Sequence, residues 1–195
     1  MFKKIYEFFR VIGELRYIIP LLKYQWPAPD DNASLAHTFE DTVKEFGDKN
    51  FIYFEDEEWT YSQTNEAANI LANKLLKEGV SHSDRVVLFM ENRPDYIISI
   101  LALNKIGAIG VLINTSLTGN PLIHCINSSD SKKCIVGAEL TPSLEGVLNE
   151  INIKEKSDIY WVQDGDNGIC PEWATNLETL LDKSQKDNLQ ETNNV

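Results

Sequence analysis

From residue 34 onward the apolar residues follow two alternating rhythms, a helical spacing of about 3.6 and short unbroken runs of strand length. Ser34 stands where it can cap a helix that runs to about Phe46, and Gly47-Asp48 stops it. Residues 51–54 and 59–61 are short aromatic runs parted by acidic residues, which predicts a hairpin turning at residues 55–58. Ser62 opens a second helix with an apolar stripe of Ala67, Ala68, Leu71, Ala72, Leu75 and Leu76, and Gly79 ends it.

The clearest signal follows. Arg85-Val86-Val87-Leu88-Phe89-Met90 is almost continuously apolar, as expected for a strand covered by helices on both faces. Glu91-Asn92-Arg93-Pro94 makes a turn, and Pro94 suits the first position of a helix over 95–105 that turns Ile97, Ile98, Leu101 and Ala102 inward. Gly107 ends that helix, and residues 109–113 read as a second buried strand. The alternation continues with a short helix at 120–127, a strand at 133–136, a helix at 142–150 and a strand at 158–162. Strands separated by helices imply parallel pairing through right-handed crossovers. The fold class is therefore α/β, a doubly wound and mostly parallel sheet flanked by helices. After Trp173 the pattern weakens to one or more helical turns near residues 177–181, and residues 183–195 read as a polar, disordered or extended tail.

Residues 1–26 differ from this body. Phe2, Ile5, Phe9, Ile12, Ile19 and Leu22 fall near one helical face, and Lys3, Glu7, Arg10 and Glu14 follow the other. The uncharged run from residue 17 to residue 22 is far short of the ~20 residues of a membrane span. Charges also interrupt the apolar stretch that a signal peptide would need. Residues 27–33, with Pro27 and Pro29, form a linker. The organisation expected is thus a basic amphipathic helix (1–26), a linker (27–33), an α/β lobe (34–182) and the tail (183–195).

Charge sharpens the contrast. Residues 1–26 hold five basic and two acidic side chains, a balance of +3, and since the whole chain carries −12 the rest carries −15. An acidic body repels phosphate backbones, so no nucleic-acid partner is expected. The basic helix at residues 1–24 can lie in a lipid headgroup region or fold onto the body. The three cysteines, Cys125, Cys134 and Cys170, show no CxxC or zinc-ligand spacing and read as buried free thiols of a reducing compartment.

Motifs that carry chemistry are nearly absent from the sequence. No GxGxxG, GxxxxGK[ST], HExxH, GxSxG or EF-hand pattern occurs. Asn114-Thr115-Ser116-Leu117-Thr118-Gly119-Asn120-Pro121 is superficially similar to a phosphate-binding loop, but one glycine and no lysine predict a plain strand-to-helix turn. His124 and Cys125 are adjacent on a helix, which turns their side chains apart, and His37 and His82 lie near helix ends. Arg93, in the turn after the first buried strand, is the one charged residue where open α/β sheets bind ligands, and an ion pair with Glu91 or Asp95 is its plainer reading.

Several blocks together resemble a known family. They are Met90-Glu91-Asn92-Arg93-Pro94-Asp95-Tyr96, Leu101-Ala102-Leu103-Asn104-Lys105-Ile106-Gly107-Ala108, Leu112-Ile113-Asn114-Thr115-Ser116-Leu117 and Pro121-Leu122-Ile123-His124-Cys125. Trp59-Thr60-Tyr61-Ser62-Gln63 up to Gly79, and Val136-Gly137-Ala138-Glu139-Leu140, fit the same pattern. In order over about 34–165, they are similar to the fatty acid transport proteins, also called very-long-chain acyl-CoA synthetases, of the adenylate-forming, AMP-binding superfamily. The resemblance implies the first lobe of an adenylate-forming N-terminal domain. It implies ATP- and Mg²⁺-dependent activation of a long-chain fatty acid through an acyl-adenylate, transfer to coenzyme A, and coupling to fatty acid uptake. It also implies a cytoplasmic protein, with residues 1–24 a candidate for peripheral contact on the inner face of a membrane. The family's phosphate loop and catalytic lysine fall downstream of Val195. No catalytic, cofactor-binding or metal-binding residue is therefore assigned here, no cofactor is expected on this chain alone, and the 195 residues are expected to be an inactive, truncated portion. The alternative is a non-catalytic α/β binding or membrane-adaptor module. A third reading, an unrelated flavodoxin-like domain, would put its ligand beyond the carboxyl ends of the strands.

Overall fold

Each of the first two helices begins where a side chain answers a free backbone N–H. In the computed structural model, which describes residues 34–165 and 168–189, helix α1 (Leu35–Phe46) is capped by Ser34, whose hydroxyl accepts from the His37 N–H at 3.2 Å. Strands β1 (Asn50–Phe54) and β2 (Glu57–Thr60) form an antiparallel hairpin, and its turn is tighter than expected, with Glu55 at φ +50°. Helix α2 (Tyr61–Lys77) starts earlier than Ser62 because Thr60 takes the cap and Gln63 stands three residues on. The two close a reciprocal capping box, the Thr60 hydroxyl accepting from the Gln63 N–H and the Gln63 side chain from the Thr60 N–H.

Five parallel strands follow: β3 (Arg85–Phe89), β4 (Ile109–Leu112), β5 (Lys133–Gly137), β6 (Ile159–Val162) and β7 (Thr175–Asn176). Their spatial order is β4-β3-β5-β6-β7. Helix α3 (Pro94–Lys105) carries the chain from β3 to β4, α4 (Gly119–Ser128) from β4 to β5, and α5 (Thr141–Glu145) lies between β5 and β6.

The unbroken apolar runs have a simple cause. Successive strand residues serve opposite cores, so neither face has a polar position to spare. Val86, Leu88, Met90, Ile135, Tyr160 and Val162 pack with Leu71, Leu75, Ile98 and Leu101 of α2 and α3. Val87, Phe89, Cys134, Val136, Ile159 and Trp161 pack with Leu122 and Ile126 of α4 and with Leu144. A parallel sheet covered on both faces is the doubly wound class that the pattern implied.

Three expectations need correction. The helix expected over 142–150 stops at Glu145, and the chain continues in tight turns such as Val147 N–H to Leu144 C=O at 3.0 Å. Gly146, a poor helix former, caps it. The edge strand β7 was not foreseen. The tail expected to be disordered or extended from residue 183 is, as far as residue 189, fastened along α2. The Asn69 amide donates to the Lys186 carbonyl at 2.7 Å and to Asn188 Oδ1 at 3.0 Å, the Asn65 amide donates to the same Oδ1 at 2.7 Å, and Leu189 packs against the core. Its side-chain amides find partners on a helix, which an apolar count of the tail misses. The amphipathic helix and linker expected over 1–33, and residues 190–195, lie outside the described residues.

Candidate functional site

In an open parallel sheet, ligands sit beyond the carboxyl ends of the strands where the strand order reverses. Here that point lies between β3 and β5, because the chain leaves β3 for β4 on one side and returns to β5 on the other. Arg93 occupies it. The residue is extended (φ −153°, ψ 174°) immediately before Pro94 starts α3, and its side chain is only 5% exposed.

One guanidinium ties together the loops that follow three strands. Nη2 donates to the Val162 carbonyl of β6 at 3.2 Å, and Nη1 lies 2.9 Å from Asp164 Oδ1 and 3.6 Å from Glu139 Oε2. Nε is 3.4 Å from Asp95 Oδ2. The ion pair expected with Asp95 is thus present, whereas Glu91 contributes its backbone N–H, which donates to Glu139 Oε1 at 2.7 Å. Gly137 makes room for this arrangement. A Cβ there would collide with both carboxylate oxygens of Glu139, which folds back over the end of β5.

Three carboxylates around one cation leave the cluster with a formal −2. Burial pushes the Asp95 carboxyl above its usual range, and the Arg93 charge opposes that shift. Arg93 Nε and Nη1 make no hydrogen bond, but three carboxylates already outweigh the Arg93 charge, so a phosphate would meet a net negative crevice poorly suited to anions.

A second feature lies on the other side of Asp95. A cavity of about 340 Å³ opens between α2, the first half of α3 and the segment 177–186. Trp59, Ala67, Ile70, Ile98, Leu177 and Leu181 give it an apolar wall, and Lys183 and Lys186 line it as well.

The remaining candidates separate. Residues 114–121 form a strand-to-helix turn in which Asn114 Oδ1 accepts from the Ser116 N–H at 2.9 Å, and Gly119 takes φ +52°. Exposed His124 pairs its ring with the Ser128 hydroxyl at 3.3 Å, while Cys125 is half-buried against the opposite core. His37 pairs with Ser34 at 3.0 Å, and His82 is exposed. All three cysteines are free, but only Cys134 is fully buried, which pushes its thiol up to about 12; Cys125 and Cys170 are half-buried. Glu139, Asp164 and Gly137 were not singled out from the sequence as part of the Arg93 cluster. A glycine two residues before a glutamate at a strand end was the only signal for them. Among the described residues no group of three or more His, Cys, Asp or Glu side chains could hold a metal ion, and no helix is long and apolar enough to cross a membrane.

Comparison with known proteins gives this geometry a context. The family model described as AMP-binding enzyme matches residues 39–193. The medium/long-chain fatty-acid–CoA ligase FadD6 of Mycobacterium tuberculosis is 32% identical over 60% of this chain and 19% of its own length. Long-chain fatty acid transport protein 2 of Rattus norvegicus is 29% identical over 77% of this chain and 23% of its own. The human long-chain fatty acid transport protein 6 is 24% identical over 97% of this chain and 29% of its own. The chain therefore spans less than a third of the length of these relatives. Among solved structures, a long-chain fatty-acid–CoA ligase of Archaeoglobus fulgidus superposes with a TM-score of 0.66 at 21% identity, covering 89% of this chain and 34% of that one. An anthranilate CoA ligase gives 0.70 at 20% identity, covering 83% and 30%. At such identities the structures establish the fold alone.

Proposed function

Since the chain belongs to the AMP-binding enzyme family, we propose that it forms the first lobe of a fatty acid–CoA ligase, one that activates a long-chain fatty acid with ATP through an acyl-adenylate and couples that step to uptake. The observation that supports this reading is the family match over residues 39–193, joined to relatives that are fatty-acid–CoA ligases and long-chain fatty acid transport proteins. The non-catalytic alternative gains no observation of its own.

The residues described here do not fit ATP or Mg²⁺. The crevice at the switch point holds an arginine already paired with three carboxylates, and the turn at 114–121 offers one glycine and no lysine. The lobe's contribution is architectural. It supplies a rigid parallel sheet whose carboxyl-end loops are stitched by Arg93, and no chemical step is assigned to its side chains.

An assay of ATP-dependent acyl-CoA formation by the 195-residue chain should read at background. Turnover by these residues overturns this division of labour. Reading the open reading frame past Val195 should show a glycine-rich loop with a lysine, and an open reading frame without one overturns the ligase reading.

Residues 1–24 carry the membrane part of the same proposal, supported by their local charge of +3 and their apolar face. They would hold the protein on the cytoplasmic side of a membrane as a peripheral contact. Removing them should abolish co-sedimentation with anionic vesicles, and unchanged co-sedimentation rules this out.

A further inference from the structure

An open sheet ends in strands whose outer backbone is unpaired, and β4 is such a strand, first in the order β4-β3-β5-β6-β7. We propose that its outer edge is a self-association surface, on which a second copy of this chain pairs antiparallel with Ile109–Leu112. Ile109 and Ile113 spend their N–H groups on the Asp84 and Leu88 carbonyls, at 2.8 and 3.1 Å. Bonding alternates along a parallel pair, so Gly110 and Leu112 turn their N–H and C=O groups to the open side. The usual guards of an edge are missing. The strand holds no charge and no proline, and Leu112 is 53% exposed.

The edge is shaped to receive its own copy. A groove of about 250 Å³ runs beside it, with Ile100, Leu103 and Ala108 in its wall. A two-fold axis through Val111 sets Gly110 opposite Leu112 of the second copy, and Leu112 opposite Gly110, each pair exchanging two backbone hydrogen bonds. Gly110 faces the groove, where a Cβ would stand 3.4 Å from Leu103 Cδ1. The incoming Leu112 therefore covers a residue without a side chain and enters the groove. The two Leu112 residues lie diagonal to each other, roughly 7–8 Å apart, within reach of leucine side chains. Charge also favours this face. A chain of net −12 repels its own copy, and all seven residues lining the groove are uncharged, so two copies can meet here without opposing carboxylates. Four residues a strand make a small contact, which belongs with the weak interfaces that bury less than about 1,200 Å².

Sedimentation of the 195-residue chain should show a monomer–dimer equilibrium that moves toward dimer with concentration and with salt, which screens the repulsion. Leu112→Lys charges the edge and Gly110→Val fills the space that Leu112 enters, and each should weaken association about tenfold or more. Ile169→Lys, at a side chain 92% exposed in the loop after β6, should leave it unchanged. A covalent trap reads the register. In a Cys125→Ser, Cys170→Ser background, Val111→Cys meets its own copy across the axis as a non-hydrogen-bonded pair, at a Cα separation of roughly 4.5 Å that suits a disulfide. Oxidised glutathione should crosslink it about tenfold faster or more than it crosslinks exposed Tyr53→Cys in the same background. A chain that stays monomeric, which is also the result of another strand already covering the edge, overturns the proposal. So does a dimer that survives a folded Leu112→Lys, or a Val111→Cys chain that crosslinks no faster than Tyr53→Cys. Where Gly110→Val fails to fold, Leu112→Lys and the crosslink decide. No step uses ATP or coenzyme A, so failure here leaves the ligase reading standing.

Discussion

The two ends of the parallel sheet handle charge in opposite ways. At the amino end the ions pair singly: Lys132 with Asp84 at 2.6 Å, Arg85 with Asp130 at 4.0 Å, and Lys133 with Asp158 at 2.8 Å. Several of these partners face water, Lys132 being 73% and Asp130 92% exposed. At the carboxyl end one buried guanidinium serves three carboxylates and a backbone carbonyl. Water screens Lys132 and the Arg85–Asp130 pair, but Lys133 is only 12% exposed and the Lys105–Glu40 pair beside the start of β4 is buried. The energetic weight of these ions should therefore follow how far water reaches them, and the partners of Arg93 should rank among the heaviest.

The largest break in this contrast is Arg93→Met. It strands Glu139, Asp95 and Asp164 around a vanished cation and should cost about 3–5 kcal/mol of stability in urea unfolding. A loss below about 1 kcal/mol would place Arg93 among the exposed pairs. Gly137→Ala comes next, at about 1–3 kcal/mol, because the new methyl drives the Glu139 carboxylate away from Arg93 and from the Glu91 N–H. In the Gly137→Ala background, Glu139→Ala should add little further loss, and full additivity of the two would show that the methyl acts elsewhere.

At the amino end, Asp84→Asn should cost about 1–2 kcal/mol at neutral pH, because the nearly buried carboxylate accepts from the Ser81 N–H and hydroxyl as well as pairing with Lys132. Lys132 and the Ser81 hydroxyl and N–H lower the Asp84 carboxyl from 3.8 to about 2. A depressed carboxylate contributes stability above its unfolded value and loses it as pH falls through its folded one. The wild type should thus lose this contribution between about pH 4 and pH 2, and Asp84→Asn should flatten that part of the profile. A profile unchanged by the substitution assigns the acid sensitivity to other carboxylates. The smallest effect is expected from Arg85→Ala, whose partner lies 4.0 Å away and is almost fully exposed. It should stay within about 0.5 kcal/mol by thermal unfolding.

The strands and most helices were legible because local pattern and tertiary role coincide. Val86 to Met90 reads as buried on both sides because it is, and Ser34 and Pro94 stand at the helix starts they signal. The hairpin's acidic turn and the glycine stops were equally local. What escaped the sequence depends on residues brought together from far apart. Arg93 was visible as a charge at a strand end, but its partners Glu139 and Asp164 come from loops 46 and 71 residues away, and no period marks them. Strand β7 is two polar residues long and exists because β6 offers a free edge. The cavity was likewise invisible, since its wall is assembled from β2, α2, α3 and the segment after β7.

The clasp of Asn188 on Asn65 and Asn69 has a bearing on how the chain is made. It joins residues 123 and 119 positions apart, while α2 itself closes through contacts within a single helix. During synthesis α2 can wind and cap early, but its Asn65–Asn69 face stays solvated until residue 188 has cleared the ribosome. At about 5–20 residues per second that is a delay of about 6–25 seconds. Over that interval the nascent lobe presents an unfinished flank, and a slow codon or a pause before residue 188 would lengthen its exposure to chaperones and proteases.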